Sequence, residues 1–327
     1  MRAISLCVCA LLAGCSFGSS GSTGSAGDAA EAPDATAPTV PADAADTGPY
    51  PIVLAHGMFG FDHIGPLEYY YGVADELTGR GRQVFAPRVD PIQPSAVRGA
   101  QLLTAIDAVL AQTGASKVVI IAHSQGGLDA RWVAHFAPDK IAAVVTIATP
   151  HRGSPVADLV KSTVPGVAQS ALSAFADFLG VAVTSSDLAA QLDGFSTTGI
   201  ETFNAEITDA PGVAYFSIAG RSALATDAAC HTTLPFLAKW NRYVDDMAPE
   251  IGALGGIIAA HEFPQVVAQD GLVTVDSAKW GTFLGCVPAD HLDEVGQLAG
   301  RPAGIANPFD YMDMYDGLES YLTAAGF

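Results

Sequence analysis

The architecture of this chain can be inferred from one run of residues, Val118-Val119-Ile120-Ile121-Ala122-His123-Ser124-Gln125-Gly126-Gly127. Its first five residues are apolar and predict a buried strand, and the segment from Leu128 to Phe136 is typical of a helix. A serine between such a strand and helix lies on a sharp, strained turn with its hydroxyl exposed above a sheet. The turn requires small flanking residues because the two backbones come close together. Gly126 is the downstream flank, and Ala122 stands upstream where the usual pattern has glycine.

Apolar runs alternate with helical segments along the rest of the chain, which predicts an α/β fold with a mostly parallel sheet covered on both faces. The predicted strands are Pro51–Ala55, Gln83–Pro87, Lys117–His123, Ile141–Ala148 and Val213–Ala219. The predicted helices are Leu67–Arg80, Ser95–Thr113, Gly126–Phe136 and Met312–Ala324. Ligands bind at the carboxyl ends of the strands in such folds, so Ser124 and His56-Gly57-Met58 are expected at the same edge.

The amino terminus has the pattern of an export signal in residues 1–14. Arg2 precedes an apolar core that is too short to remain as a membrane-spanning helix. Leu12-Ala13-Gly14-Cys15 matches the bacterial lipobox, so Cys15 is predicted to become an acylated first residue that anchors the chain to a membrane. Ser16 after it favours the outer membrane or the cell surface. The alternative is an ordinary signal with incidental cysteines, which predicts free secretion.

Residues 15–48 consist almost entirely of Ser, Gly, Thr, Ala, Asp and Pro, which cannot bury enough surface to fold and predict a disordered tether. The whole chain is 50% hydrophobic and 15% charged, and residues 49–327 suit one large α/β domain. Its formal net charge of −19 argues against nucleic acid as a partner, because phosphate binding needs lysine and arginine.

Two of the five cysteines remain in the folded part once the signal is removed and Cys15 is acylated. They are Cys230 and Cys286. In an exported protein we expect this pair to form one disulfide, and two buried free thiols are the alternative.

The pattern changes at about residues 150–198, where apolar and small residues occur at loosely helical spacing. Ala168–Val183 has an apolar face and few charges. One interpretation is a core helix. The other is a mobile amphipathic cap that covers an apolar cleft in water and opens at a lipid surface.

A serine hydroxyl needs a histidine to accept its proton and an acid to orient that histidine. After a serine turn of this kind the acid precedes the histidine along the chain. Asp270, in a short polar turn before an apolar run, is therefore the predicted acid and His291 the predicted base, with Asp276 as the alternative acid. The remaining downstream histidines lie on the helix after the turn, too close to it, or before the acid; they are His135, His151, His231 and His261.

An oxyanion hole requires two backbone N–H groups that point at the developing charge. One should come from Gln125, which follows the nucleophile. The other should come from the loop after the first strand, where Met58 is the predicted donor. His56 could act as a second base, but its place before Gly57 favours hydrogen bonding within the loop.

Five segments together carry a family resemblance. They are Pro51–Asp62, Val97-Arg98-Gly99-Ala100-Gln101-Leu102-Leu103, His123-Ser124-Gln125-Gly126-Gly127, Asp270-Gly271-Leu272-Val273 and His291-Leu292-Asp293-Glu294-Val295. In order and at compatible spacing, they resemble the bacterial family I triacylglycerol lipases of the pseudomonad type. The similarity extends over approximately residues 49–300.

The resemblance implies a lidded α/β-hydrolase that hydrolyses esters of long acyl chains through an acyl-enzyme on Ser124, without an organic cofactor. Arg98 matches a family arginine that supports the oxyanion loop. Many relatives fold with a membrane-bound steric chaperone, so a lipase foldase is an implied partner. The lipid anchor departs from relatives that are secreted free. In the family the second cysteine usually follows the acid, whereas Cys286 precedes His291, so the disulfide is expected to hold the histidine loop directly.

The resemblance also implies a structural Ca²⁺ ion near the catalytic histidine. Asp293 matches a carboxylate ligand, and Gln297 and Arg301 match positions whose backbone carbonyls complete the shell. The second carboxylate is expected from Asp245 or Asp246. Without an ion, Asp293 and the neighbouring Glu294 would be solvated acids.

The sequence leaves two other functions open. An esterase or polyester depolymerase would use the same three catalytic residues with a different cleft. A non-catalytic surface lipoprotein would keep the fold without reacting at Ser124.

Overall fold

The computed structural model describes residues 49–60, 63–64, 67–161, 170, 191–222, 230–297, 299–304 and 306–327. The predicted signal, the anchor at Cys15 and the tether lie outside these ranges, and so does Ala168–Val183 apart from Ser170. None of the helices in the described ranges is both long and apolar enough to cross a bilayer.

A six-stranded parallel sheet forms the centre of the domain, which confirms the predicted architecture. The strands are β1 (Ile52–Ala55), β2 (His63–Ile64), β3 (Leu67–Glu68), β4 (Val84–Phe85), β5 (Val118–His123), β6 (Ile141–Ile147), β7 (Ala214–Gly220) and β8 (Thr282–Val287). The large sheet has the order β4-β1-β5-β6-β7-β8, and every neighbouring pair in it is parallel. Strands β2 and β3 form a separate antiparallel pair.

The described helices are α1 (Val73–Gly79), α2 (Ser95–Thr113), α3 (Gln125–Phe136), α4 (Pro155–Lys161), α5 (Thr197–Glu206), α6 (Pro235–Ala238), α7 (Pro249–Glu262), α8 (Val275–Ala278) and α9 (Tyr311–Ala324). Short 3₁₀ turns lie at Pro138–Lys140 and Asp293–Val295. Helix α2 has the predicted bounds.

Alternate residues of β1 pack on opposite faces of the sheet, because successive side chains of a strand point in opposite directions. Ile52 and Leu54 join the apolar cluster that includes residues of α1 and α9. Val53 and Ala55 join the cluster that includes residues of α2 and α3. Ala122 is fully buried in this second cluster, so its methyl group contributes to packing at the turn that carries Ser124.

The predicted helix Leu67–Arg80 is wrong at its start. Leu67–Glu68 is β3, and the helix begins only at Val73. Gly72 precedes it with φ 70°, a left-handed conformation that a right-handed helix does not contain. Two further elements were not predicted: β8, in which Gly285 interrupts the apolar run, and α7, which is apolar on most of its surface.

A disulfide joins Cys230 to Cys286, with the two Cα atoms 5.3 Å apart, which confirms the predicted pair. Both cysteines are fully buried. Cys286 lies in β8, five residues before His291, so the bond connects the strand that leads to the histidine with the segment around Cys230.

Candidate active site

Ser124 occupies the turn between β5 and α3. Its backbone has φ 54° and ψ −130°, a conformation that costs a residue other than glycine on the order of 1–3 kcal/mol. Its N–H donates to the carbonyl of Ile147 at 2.9 Å, which connects the turn to β6. A methyl group on Gly126 would overlap the carbonyl oxygen of Ala55, so this flank requires glycine. The structure therefore contains the strained serine turn that the sequence predicts.

Asp270 and His291 lie within hydrogen-bond distance of each other. The Nδ1 atom of His291 is 2.8 Å from Oδ2 of Asp270, and both side chains are buried. The other carboxylate oxygen, Oδ1, accepts from the backbone N–H groups of Leu272 at 2.8 Å and Val273 at 2.7 Å. These bonds fix the carboxylate, so Nδ1 of His291 carries the proton and Nε2 is left to act as a base.

The two expected oxyanion donors, Gln125 and Met58, lie close to Ser124. Gln125 is the first residue of α3, where a backbone N–H has no partner within the helix. The side chain of Gln125 donates a hydrogen bond from Nε2 to the carbonyl of Gln93, at 2.9 Å. Met58 follows β1 and borders the same pocket as Ser124. Met58 thus lies at the pocket of Ser124 and Gln125 directly after the nucleophile, and their roles as oxyanion donors remain predictions.

Arg98 is completely buried beneath the loop that contains Met58. Its Nη2 atom donates to the carbonyls of His56 at 2.6 Å and Gly57 at 3.2 Å. Its Nε atom donates to Oδ2 of Asp129 at 2.7 Å. Burial raises the pKa of Asp129, and the attraction of Arg98 opposes that shift. Arg98 thus connects the oxyanion loop to α3 through one side chain.

His56 uses both of its ring nitrogens within the structure. Nδ1 donates to the carbonyl of Gly57 at 2.9 Å, and Nε2 accepts from the backbone N–H of Val89 at 3.2 Å. Hydrogen bonding in the loop, the expected role of this histidine, is therefore present, and the alternative of a second base has no support.

The other candidate acids and bases lie elsewhere. Asp276 is exposed and pairs with Lys279 at 2.8 Å. His135 bonds to the carbonyl of Thr208, and His151 is fully buried against Thr146 and Arg131. His231 and His261 are exposed.

A buried hydrogen-bond network that was not predicted from the sequence contacts His291. The ring of His123 lies 4.4 Å from that of His291, centroid to centroid. Nδ1 of His123 is 2.6 Å from the hydroxyl of Tyr69, and its Nε2 is 3.0 Å from Oε2 of Glu294. His123 precedes the nucleophile and Glu294 stands in the His291 motif, but their pairing spans 171 residues.

Burial favours the neutral form of both members of the His123–Glu294 pair. Burial raises the pKa of Glu294 well above its usual value, and three neighbouring carboxylates act in the same direction. Burial also lowers the pKa of His123 well below its usual value. A neutral carboxyl donates one hydrogen bond, so Glu294 donates to Nε2 of His123, whose Nδ1–H then donates to Tyr69. The alternative that Asp293 and Glu294 are solvated acids is wrong, because both are buried.

A second group of buried acids, here called the acidic cluster, comprises Asp245, Asp290 and Asp293. One carboxylate oxygen from each lies within 4.8 Å of the others. Burial, with a contribution from Asp290, raises the pKa of Asp245 to about 6. Burial followed by the charges of the other two raises the pKa of Asp293 to about 8. Asp246 is exposed, so of the two residues that the sequence left open it is Asp245 that joins the cluster.

The hydrogen bonds of the acidic cluster leave room for a cation. Asp290 accepts from the backbone N–H groups of Ala248, Leu292 and Asp293, at 2.6, 2.9 and 3.0 Å. Oδ1 of Asp245, in contrast, is buried without a partner among the described residues. Oxygen ligands of this kind suit Ca²⁺. The residues present therefore fit the ion that the resemblance implies.

Gln297 and Arg301 lie beside the cluster. Gln297 donates its backbone N–H to the carbonyl of Leu292 at 3.0 Å, which closes the turn after His291. Arg301 borders the same depression as Asp245 and Asp293, and its guanidinium pairs with Glu250 at 3.4 Å. Gln297 and Arg301, the two expected carbonyl ligands, thus both follow the turn that carries Asp293.

A pocket with a mostly apolar lining opens at Ser124. Met58 and Leu272 border it from the oxyanion and acid loops. Val156 of α4 and Phe195 border it from the region predicted as a cap at about residues 150–198. The described part of this region therefore covers the nucleophile with apolar side chains.

A family model of the alpha/beta hydrolase fold matches residues 50–182. A triacylglycerol lipase of Vibrio cholerae is 35% identical over 267 residues, which are 77% of this chain and 81% of the relative. The chain belongs to the triacylglycerol lipase family. A further member from Burkholderia plantarii is 32% identical and aligns with 81% of this chain and 85% of its own length.

Solved lipase structures share the fold of this chain. The mature form of a Bacillus licheniformis lipase has a TM-score of 0.57 at 17% identity and covers 89% of this chain and 97% of its own. Lipase 1 from Pelosinus fermentans has a TM-score of 0.56 at 19% identity, with 84% and 98% covered.

Proposed function

We propose that the chain is a serine carboxylic ester hydrolase whose substrates are triacylglycerols and related long-chain esters. The observation that carries this proposal is the 2.8 Å contact between His291 and Asp270, together with a strained Ser124 at an apolar pocket that Leu272 also lines. Its relatives named triacylglycerol lipases support the substrate class. Among them we place it with the pseudomonad-type family I.

In the first step Oγ of Ser124 attacks the ester carbonyl carbon while Nε2 of His291 accepts the serine proton. Asp270 holds Nδ1 and stabilises the imidazolium that forms. The backbone N–H groups of Met58 and Gln125 stabilise the tetrahedral oxyanion. Loss of one such donor lowers kcat by a factor of about 10²–10³.

In the second step the intermediate collapses and the alcohol leaves with the proton held by His291. The acyl group remains as an ester on Ser124. His291 then accepts a proton from water, whose oxygen attacks this ester, and the fatty acid leaves as Ser124 regains its proton.

Labelling with a fluorophosphonate tests the reactive serine. We expect one adduct, located by mass spectrometry on Ser124, and none in Ser124→Ala. A chain-length series from soluble acetate esters to emulsified triolein tests the substrate class. A preference for short soluble esters, or for a polyester film, would instead assign an esterase or depolymerase. An unlabelled Ser124 would assign a non-catalytic lipoprotein.

Calcium is the proposed cofactor. Asp245 and Asp293 would supply carboxylate ligands, and the backbone carbonyls of Gln297 and Arg301 would complete the set. The ion would supply positive charge that holds the loop of His291 in place. It takes no part in the acyl transfer.

Export as a lipoprotein is a further proposal. Acylation at Cys15 would place the domain at the outer membrane or cell surface, and palmitate incorporation that is lost in Cys15→Ala tests it. Secretion of unmodified protein would contradict the anchor. A cap within residues 150–198 and a lipase foldase are proposed with it, and recovery of full activity after unaided refolding would remove the foldase.

A further inference from the structure

Large apolar side chains are strongly exposed at only four positions in the described part of the chain. They are Val97, Phe136, Phe263 and Val266. Phe263 is 80% exposed and Val266 is 78% exposed, against 44% for Val97 and 57% for Phe136. Phe263 and Val266 lie in one turn, residues 263–266, here called the apolar turn. Exposed apolar groups concentrated in one place mark a surface that contacts something apolar.

The apolar turn adjoins an apolar cluster that includes residues of the pocket at Ser124. It follows α7, whose Ile251 and Ile258 belong to the same apolar cluster as the pocket residue Phe195. Val267, directly after the turn, packs against this cluster. The chain then reaches Asp270 and the pocket residue Leu272. The turn is thus continuous with the site along the chain and through the apolar cluster.

The charges around the apolar turn favour an uncharged lipid surface. Glu262 and Asp276 border the depression beside Val266. Glu262 contacts His261 at 3.1 Å, and Asp276 pairs with Lys279 at 2.8 Å. Among the described residues around this turn, cations therefore do not outnumber anions, and the net charge of the whole chain is −19, which disfavours anionic headgroups.

We propose that the apolar turn inserts Phe263 and Val266 into a zwitterionic lipid surface and so holds the pocket of Ser124 at the interface. This inference rests on the proposed function, because an insoluble ester is presented at such a surface. Transfer of a phenylalanine and a valine side chain out of water strengthens partitioning by about tenfold or more.

Partitioning onto phosphatidylcholine vesicles tests the proposal in the full chain with Cys15→Ser, which excludes an acyl anchor at that position. We expect Phe263→Ser with Val266→Ser to lower the vesicle-bound fraction at least about tenfold. The rate on a triolein emulsion should fall in parallel, while the rate on soluble p-nitrophenyl acetate stays unchanged. Phe136→Ser is the matched control, because it removes an exposed phenylalanine from α3, and it should bind as the parent does.

A second variant reports insertion directly. Phe263→Trp should show a blue-shifted fluorescence maximum when phosphatidylcholine vesicles are added, and quenching by brominated lipid. An unshifted spectrum, or equal vesicle binding by the double serine variant, would overturn the proposal. So would a parent dimer that the double variant converts to a monomer without lipid, since the occupant would then be a second copy. If acetate and triolein are both left intact while vesicle binding still depends on Phe263, the proposed function fails and the lipid contact stands.

Discussion

Arg98 and the acidic cluster are both buried near the catalytic residues, but their charges are compensated in different ways. The guanidinium of Arg98 contacts a carboxylate and several backbone carbonyls at hydrogen-bond distance. The three carboxylates of the cluster lie close together, and burial raises the pKa of each; repulsion within the cluster adds to this shift for Asp245 and Asp293. The oxyanion side is therefore complete with the chain's own atoms, whereas the histidine side is complete only when protons or a cation are bound.

The largest effect is expected at Arg98. Arg98→Met leaves the carboxylate of Asp129 buried without its partner and releases the carbonyls of the oxyanion loop. Breaking a buried ion pair costs about 3–5 kcal/mol, and urea unfolding measures the loss. Adding Asp129→Leu should restore most of the stability but not the ester hydrolysis, because the loop still lacks its support. A single variant as stable as the parent would show that the pair is dispensable.

Removal of calcium should come next in size. At free calcium of 100 times its Kd, binding stabilises the folded state by about 2.7 kcal/mol, so a chelator should remove this amount at pH 8. In the metal-free chain, folded Asp293 keeps its proton up to about pH 8, whereas an unfolded aspartate loses it near pH ~4. Stability of the metal-free chain should therefore fall as pH rises from about 4 to about 8. Unfolding curves at pH 5 and pH 8 check this, and a larger chelator effect at pH 5 would contradict it.

A pair of adjacent substitutions should locate the cation. Asp245→Asn removes a ligand and one repelling charge, so it should weaken calcium binding at least about tenfold. It should also stabilise the metal-free chain at pH 8 by about 1 kcal/mol. Asp246→Asn is the control, because its exposed carboxylate should change stability by less than about 0.5 kcal/mol. Calorimetric titration measures the calcium affinity of the two variants, and urea unfolding measures the stability of their metal-free forms. Equal effects of the two substitutions would remove Asp245 from the site.

The smallest effect is expected at Glu294. A neutral carboxyl and an amide have similar shape, and both can donate to Nε2 of His123. Glu294→Gln should therefore change the free energy of unfolding by less than about 1 kcal/mol. A loss of about 3–5 kcal/mol would show that a charged carboxylate had been removed. Glu294 would then be ion-paired, as Arg98 is.

The sequence predicted the parts of the site that depend on chain order and local turns. Ser124, Asp270 and His291 follow from the order of nucleophile, acid and base, and Arg98 from the family resemblance. The contact of His123 with Glu294 was out of reach, because it forms only when β5 and the 3₁₀ turn Asp293–Val295 meet in the folded domain.

The fold was predicted well where apolar residues formed unbroken runs, as in β5 and β6. Leu67–Arg80 was misjudged because apolar and aromatic residues at its start suit a strand as well as a helix, and only Gly72 separates the two. Helix α7 has apolar residues on most sides, so it lacks the one-sided pattern by which a surface helix is recognised.

The disulfide between Cys230 and Cys286 couples the site to the redox state of its compartment. The loop that it closes, with a sequence separation of 56 residues, contains both Asp245 and Asp270. Closing a loop of this length removes on the order of 4 kcal/mol of conformational entropy from the unfolded chain. Reduction would therefore lower the free energy of unfolding of the domain that holds Asp245 and Asp270 by about this amount. A chain still in a reducing compartment would be less stable, and oxidation would complete its stabilisation.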